Sequence, residues 1–159
     1  PWTECGVMVL DLVESVRLMQ EDEAGAIRRW LAFVDQVRER LLPRHGGRLV
    51  KSLGDGLMLT FDTVPQALRL AFDLPPVLAA VNRGVPPSGQ LSLRTGLHHA
   101  RVMVTPLDIY GRDVNLCARI AAVAQPGQVL GSAAARDRLV PGLDAVIEDL
   151  GDCFLKHVE

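Results

Sequence analysis

The sequence contains no uninterrupted run of about 18 apolar residues, which is the length that a helix needs to cross a membrane. Its start, PWTECGVMVLDLV, also lacks the basic residues that precede the apolar stretch of a secretory signal peptide. We therefore expect neither a membrane segment nor a signal peptide in these residues. The abrupt entry into an apolar stretch predicts that the chain is a fragment of a longer protein, with any regulatory domains outside it.

An excess of charge of one sign is missing, and cysteine is scarce. The formal charge is −2, with acidic and basic side chains interspersed, so the sequence lacks the basic face that is typical of nucleic-acid-binding proteins. The three cysteines, Cys5, Cys117 and Cys153, form neither a metal-ligand pattern nor an evident disulfide framework. We expect no nucleic-acid partner, and a reducing, cytoplasmic setting is the simplest expectation.

The composition of the chain is that of one globular domain. Apolar residues make up 48% of the 159 residues and charged residues 23%, which is enough for a core and typical of a soluble surface. A chain of this length is too short for two ordinary domains. We therefore treat residues 1–159 as a single domain.

Apolar periodicity predicts an alternation of strands and helices. The hairpin between the second and third strands is indicated by Gly54-Asp55-Gly56, a strong turn signal. The first six elements follow the order of a ferredoxin-like βαββαβ core, which predicts an α+β fold with extra C-terminal α/β elements and helices on one face of an antiparallel sheet. Strands are predicted at 6–12, 48–53, 57–62, 91–104 and 128–132 and around Ile147 and Leu155, and helices at 22–44, 65–82, 110–124 and 132–139.

Two acids stand at the ends of predicted strands. Asp11 closes the first strand, and Asp55 lies in the hairpin that follows the second. In a βαββ arrangement both carboxylates can meet at one edge of the sheet, where they repel unless a cation joins them. Hard oxygen ligands of this kind suit Mg²⁺ or Mn²⁺. The alternative is ordinary turn chemistry, with Asp11 capping the coming turn and Asp55 serving only as a turn residue.

Two other segments carry features that suit a nucleotide. The turn LVES after Asp11 would direct backbone N–H groups and the positive end of a helix at a polyphosphate, although every α/β protein has such turns. Asn115 and Arg119 are four residues apart and so share one helical face. A planar guanidinium beside an amide suits a phosphoryl oxygen and a sugar. The alternative is a solvated helix face with an ordinary surface arginine.

Taken together, these motifs resemble the catalytic domain of class III adenylate/guanylate cyclases of the bacterial type, over nearly the whole chain. The resemblance implies the nucleotide cyclase fold and a homodimer that converts ATP into 3′,5′-cyclic AMP and pyrophosphate at two shared sites. It rests on five segments: VMVLDLVESVRLM, GGRLVKSLGDGLMLTF, LRTGLHHARV, DIYGRDVNLCARIAAVAQPGQVLGS and LGDCFLKHVE.

The resemblance implies a metal and phosphate side of the site. Asp11 and Asp55, joined by the backbone carbonyl of Leu12, would hold two Mg²⁺ or Mn²⁺ ions per site. Lys156 in the closing strand would reach the phosphates. The phosphate-binding turn would comprise Leu12, Val13, Glu14, Ser15 and Val16.

The resemblance also implies a base and ribose side, contributed by the other subunit. Lys51 and Asp108 would hydrogen-bond the adenine edge, Asn115 would orient the ribose, and Arg119 would neutralise charge growing on the α-phosphate. The chain carries both sets of residues, so a head-to-tail homodimer could form two equivalent sites. A lone subunit is expected to be inactive.

Two positions depart from the family's usual pattern. Glu14 stands where glycine is frequent in the phosphate loop, and Val16 where threonine is frequent. A carboxylate beside a triphosphate costs affinity unless it points elsewhere, so a degenerate module with a regulatory nucleotide-binding or dimerisation role is an alternative. A guanylate cyclase is disfavoured because Lys51 and Asp108 match adenine, and a diguanylate cyclase because no GGDEF-like hairpin is present.

Overall fold

The computed structural model describes residues 1–139 in full and the backbone of residues 148–149 and 153–157. A mixed sheet forms its centre, and helices pack against it. The strands are β1 (Trp2–Leu12), β2 (Gly47–Ser52), β3 (Gly56–Phe61), β4 (Leu93–Val104), β5 (Ile109–Tyr110), β6 (Gln128–Ser132), β7 (Glu148–Asp149) and β8 (Cys153–His157). The helices are α1 (Ser15–Gln36), α2 (Leu42–His45), α3 (Val64–Val81), α4 (Arg112–Val123) and α5 (Ala133–Arg136).

The sheet has the strand order β2-β3-β1-β4-β6-β8-β7, and β5 pairs with β4. Its first half, β2-β3-β1-β4, is antiparallel throughout and has the ferredoxin-like order that the sequence predicts. β6 then pairs with β4 in parallel. The strand predicted around Leu155 is β8, whereas Ile147 lies outside the described residues.

The side chains of β1 alternate between two hydrophobic clusters, one on each face of the sheet. Met8 and Leu10 are buried against α1 and α3, whereas Val7 and Val9 are buried on the opposite face with Cys117 of α4. The two helices of the βαββαβ core, α1 and α3, therefore share one face as the sequence predicts, and the later helix α4 lies on the other. A parallel β4–β6 pair needs a crossover connection, and α4 is that crossover, which covers the face that α1 and α3 leave open.

The first helix begins earlier than the sequence predicts. α1 starts at Ser15 rather than at residue 22, and Asp22 is an internal break with φ −158° and ψ 80°. The Asp22 carboxylate accepts a hydrogen bond from the Gly25 N–H at 3.1 Å, so it caps the second half of the helix. The predicted helix start at residue 22 thus coincides with a capping residue, but this residue lies inside a longer helix.

The helical stretch continues beyond α1 as a π-helical turn, Val37–Leu41, and as α2. It ends at Gly46, which has the left-handed φ of 67° that glycine adopts without strain. Among the described residues, none of the helices combines the length and the apolar character that a membrane crossing requires.

Candidate active site

Two carboxylates lie where β1 and β3 meet. Asp11 pairs with Gly56 in the sheet register, and Asp55 directly precedes Gly56 in the turn from β2 to β3. A Cβ atom on Gly56 would lie 2.5 Å from the Leu10 carbonyl oxygen, so only glycine lets this turn approach β1 so closely. The structure thus brings both predicted metal ligands to one edge of the sheet.

The turn that carries Asp55 is held by two hydrogen bonds from the segment after Asp11. The Leu12 N–H donates to the Asp55 carbonyl oxygen at 2.8 Å. The Ser15 hydroxyl donates to the Asp55 carboxylate at 2.9 Å. Ser15 is the first residue of α1, so the start of this helix orients the Asp55 side chain.

The pKa of Asp11 is set by its burial and by two charged neighbours. Burial and the charge of Asp55 raise the pKa of Asp11 above its ordinary value, and Arg94 opposes this shift. The Arg94 guanidinium lies 3.9 Å from the Asp11 carboxylate. Sequence reasoning missed Arg94, but the register could have found it, since Arg94 on β4 is paired with Asp11.

These donors fit a divalent cation. A hard cation such as Mg²⁺ or Mn²⁺ can bind between two carboxylates and neutralise the charges that repel each other. Within residues 1–139 no three His, Cys, Asp or Glu side chains come together in a metal-binding group. A third ligand from this part of the chain would therefore be a hydroxyl, amide or main-chain oxygen, and the main-chain carbonyl of Leu12 directly follows Asp11.

The predicted phosphate-binding turn has free donors and one strained residue. The Val13 N–H donates to the Ser92 carbonyl oxygen at 2.9 Å. The next three N–H groups, those of Glu14, Ser15 and Val16, have no acceptor in the described part of the chain. Glu14 has φ 52° and ψ 43°, the left-handed region that glycine prefers. A cavity of about 370 Å³ borders Ser15, Val16 and Asp55.

A second pair of charged residues lies on the α4 face of the sheet. Lys51 donates a hydrogen bond to the Asp108 carboxylate at 2.8 Å, and this bond holds the pKa of Asp108 below its ordinary value. The register of β2 shifts between Leu49 and Lys51, so Lys51 is paired with Met58. Met58 is buried in the cluster on the α4 face, and paired residues share a face. The irregularity therefore turns Lys51 toward Asp108.

Asn115 and Arg119 lie on the outer face of α4. Both are exposed, because the inner face of α4 buries Val114, Cys117 and Ala121 instead. Neither side chain has a hydrogen-bond partner among the residues that the structure describes. Lys156 belongs to β8, but its side chain lies outside the described part of the chain.

The predicted site residues thus form three groups. The first contains Asp11, Leu12, Ser15 and Asp55, the second Lys51 and Asp108, and the third Asn115 and Arg119. In the described part of the chain, no hydrogen bond or ion pair joins one group to another. The roles assigned to these residues remain predictions.

Comparison with solved structures defines the class of fold. An adenylate/guanylate cyclase/hydrolase from Silicibacter pomeroyi superposes with a TM-score of 0.82 at 24% identity, covering 100% of this chain and 98% of that one. An adenylate cyclase from Trypanosoma brucei, solved in its monomeric state, gives a TM-score of 0.78 at 21% identity, covering 96% and 87% of the two chains. The protein therefore has the α+β fold of nucleotide cyclases.

The family follows from the sequence. Residues 1–157 match the model of the adenylate and guanylate cyclase catalytic domain, and the chain belongs to this family. It is 33% identical over 153 residues to putative adenylate cyclase 3 of Rhizobium meliloti, covering 96% of this chain and 26% of that protein. An adenylate cyclase of Streptomyces coelicolor is 30% identical over 138 residues, covering 85% and 34%. The chain thus spans only a quarter to a third of the length of these relatives.

Proposed function

We propose that this domain is an adenylate cyclase that works in the cytoplasm as a homodimer with two shared sites. In the reaction the ribose 3′-oxygen bonds to the α-phosphorus, the bond from that phosphorus to the β-phosphate oxygen breaks, and pyrophosphate and the hydroxyl proton leave. The observation that supports this proposal best is the Lys51–Asp108 hydrogen bond of 2.8 Å, because it bears on the choice of base.

The Lys51–Asp108 pair is complementary to adenine. An ammonium can donate to N1 of adenine, and a carboxylate can accept from its N6 amino group. Guanine carries a hydrogen on N1 and a carbonyl at C6, so it would meet a donor with a donor and an acceptor with an acceptor. The lowered pKa of Asp108 keeps its carboxylate ionised and therefore able to accept. ATP is the substrate that this pair favours.

Asp11, Asp55 and the carbonyl of Leu12 are the groups that would hold the metal ions. When bound, Mg²⁺ or Mn²⁺ supplies positive charge that lowers the pKa of the ribose 3′-hydroxyl and neutralises the triphosphate. Ser15 fixes the Asp55 carboxylate through its hydroxyl. Arg94 adds a fixed positive charge 3.9 Å from Asp11.

Asn115 and Arg119 would act on a nucleotide held by the metal ligands of a second copy. Their exposure on α4 and the separation of the three groups support a site completed by another subunit. Exposed apolar side chains also stand within four residues of a site residue in the sequence, where an interface between subunits would cover them. Val16 is 69% exposed, Leu107 87% and Val123 68%.

The first test is cyclic nucleotide formation by the purified domain. ATP and GTP are compared in Mg²⁺ and in Mn²⁺ over a range of protein concentrations, with Asp55→Ala as the control. We expect ATP-selective activity that rises faster than linearly with protein and is lost in the control. Faster turnover of GTP would overturn the choice of substrate, and activity at protein concentrations where sedimentation shows only monomer would overturn the dimer.

A mixing experiment tests the shared site directly. Asp55→Ala and Arg119→Ala are each expected to be inactive alone, because each variant damages both sites of its own homodimer. A mixed dimer has one intact site, so equal amounts of the two variants should recover about a quarter of wild-type activity after exchange of subunits. No recovery, with mixed dimers detected by mass spectrometry, would contradict a site built from two subunits.

The degenerate alternative rests on Glu14, and two contacts weaken it. The Glu14 carboxylate accepts hydrogen bonds from Arg17 at 3.0 Å and 2.8 Å, so its charge is paired. Under our proposal, Glu14→Gly changes the rate of cyclic AMP formation only modestly. A large gain from a baseline near zero would favour the degenerate module instead.

A further inference from the structure

The first turns of α1 present two faces with different neighbours. One face carries Ser15, Val16 and Met19, which border the cavity of about 370 Å³ beside Asp55. The other face carries Glu14, Arg17 and Glu21, since residues three and four apart share a side of a helix. This second face is turned toward the loop of residues 84–89, where the Ser88 carbonyl lies within hydrogen-bonding distance of Arg17.

Arg17 organises this second face with all of its guanidinium nitrogens. Its Nε and Nη2 donate to the Glu14 carboxylate at 3.0 Å and 2.8 Å. Its Nη1 donates to the Glu21 carboxylate at 3.1 Å and to the Ser88 carbonyl oxygen at 2.6 Å. The hydrogen bonds to Glu14 and Glu21 raise the pKa of Arg17. Ser88 is 71 residues away in the chain, so the guanidinium is anchored from outside the helix.

The backbone of Glu14 belongs to the turn that offers free N–H groups, but its carboxylate is bonded to Arg17 instead. The side chain is 58% exposed, so without a partner it could rotate toward those N–H groups. There it would compete with a polyphosphate for the same donors and repel it. Glycine at this position would raise no such conflict, because it has no side chain.

We propose that Arg17 is a positioning residue for the nucleotide: it holds the Glu14 carboxylate on the face of α1 that is turned away from Asp55. The proposal rests on the proposed function, in which the turn at residues 14–16 binds the triphosphate. It explains how a phosphate-binding turn in this chain tolerates an acidic residue.

The test is a double-mutant cycle of Glu14→Gly and Arg17→Ala, read out as KM and kcat for cyclic AMP formation and as the Kd of a non-cyclisable ATP analogue in Mn²⁺. Arg17→Ala should raise KM and Kd on the order of tenfold, the size of a screened repulsion between a freed carboxylate and the triphosphate. It should leave kcat within about twofold, because the carboxylate opposes binding rather than the chemical step. Arg28→Ala is the matched control, since Arg28 is an exposed arginine of the same helix.

The double variant separates positioning from a simple structural role. Once Glu14 is glycine, removal of Arg17 should change KM and Kd by less than about twofold. A tenfold loss that persists in the double variant would mean that Arg17 contacts the phosphates or only supports the fold, and it would overturn the proposal. Unchanged KM and Kd in Arg17→Ala would overturn it as well. A wild-type domain that binds the analogue but forms no cyclic product would refute the proposed activity, while the Kd cycle would still decide the role of Arg17.

Discussion

Gly96→Ala should push α4 away from the sheet. A Cβ atom at Gly96 would lie 2.5 Å from the Ala121 nitrogen, 2.7 Å from the Cys117 carbonyl oxygen and 2.9 Å from the Ala121 Cα. All three atoms are backbone, so no side-chain rotation can relieve the contact. Ordinary van der Waals contact begins near 3.4 Å, and α4 must therefore retreat by roughly 0.9 Å.

The expected cost has two parts. Overpacking of a filled core lowers the free energy of unfolding by about 1–3 kcal/mol. The new Cβ meets the backbone of α4, which cannot move as a side chain can, so we expect the upper half of that range. For a domain of this size, about 2–3 kcal/mol lowers Tm by about 4–12 °C. Displacement of Asn115 and Arg119 by nearly 1 Å should also lower kcat on the order of 100-fold. KM should change less, because the metal ligands lie outside α4.

Thermal unfolding by circular dichroism and steady-state kinetics measure the two parts separately. Gly89→Ala is the matched control, since a Cβ there would meet only side-chain atoms, Val85 Cγ1 at 3.2 Å and Arg29 Nη2 at 3.8 Å. A Tm within 1 °C of wild type for Gly96→Ala would refute the close packing of α4. A lowered Tm with an unchanged kcat would refute the link between the position of α4 and turnover.

Three further predictions concern metal, pH and thiol chemistry. Mn²⁺ should raise the Tm of the wild type but not of Asp55→Asn in a thermal shift assay, and an equal shift in both would place the ion elsewhere. Burial lowers the pKa of His98 below its ordinary 6.5, so His98 takes up a proton at a higher pH in the unfolded chain than in the folded one. The free energy of unfolding measured in urea should therefore fall as the pH drops below about 6.5. His98→Gln should flatten that profile, and an unaltered slope would assign it to another group. Burial raises the pKa of Cys117 to about 12, so peptide mapping should find this thiol unmodified by iodoacetamide at pH 8 until denaturant is added. Prompt labelling of the folded protein would contradict its burial.

Local sequence signals predicted most strands well but not the start of α1. β6 has the predicted bounds, and β2, β3 and α3 lie within one residue of theirs, because each is bounded by strong turn or capping residues. The predicted start of this helix, at Asp22, is wrong because a carboxylate that caps a helix can stand at a true terminus or at an internal break. The first turns of α1 are held by local ion pairs of Arg17 and by a contact from another part of the chain, the hydrogen bond between Arg17 and Ser88.

Only part of the candidate site could be predicted from the sequence. The meeting of Asp11 and Asp55 follows from strand order and a hairpin, both of which the sequence encodes locally. The face on which α4 packs depends instead on the parallel pairing of β4 with β6, which no local pattern specifies. The direction of Lys51 depends on a shift in strand register, and Arg94 is recognised only once β4 is aligned with β1.

The shift between Leu49 and Lys51 has a second consequence, for solubility. β2 is the outermost strand on its side of the described sheet, and an open strand edge is a template for pairing with other chains. An irregularity and a lysine in such a strand both oppose this pairing. Deletion of Val50 would remove the extra residue and leave a regular edge in which Lys51 still pairs with Met58. The irregularity that places Lys51 opposite Met58 thus also opposes the pairing of other chains with this edge.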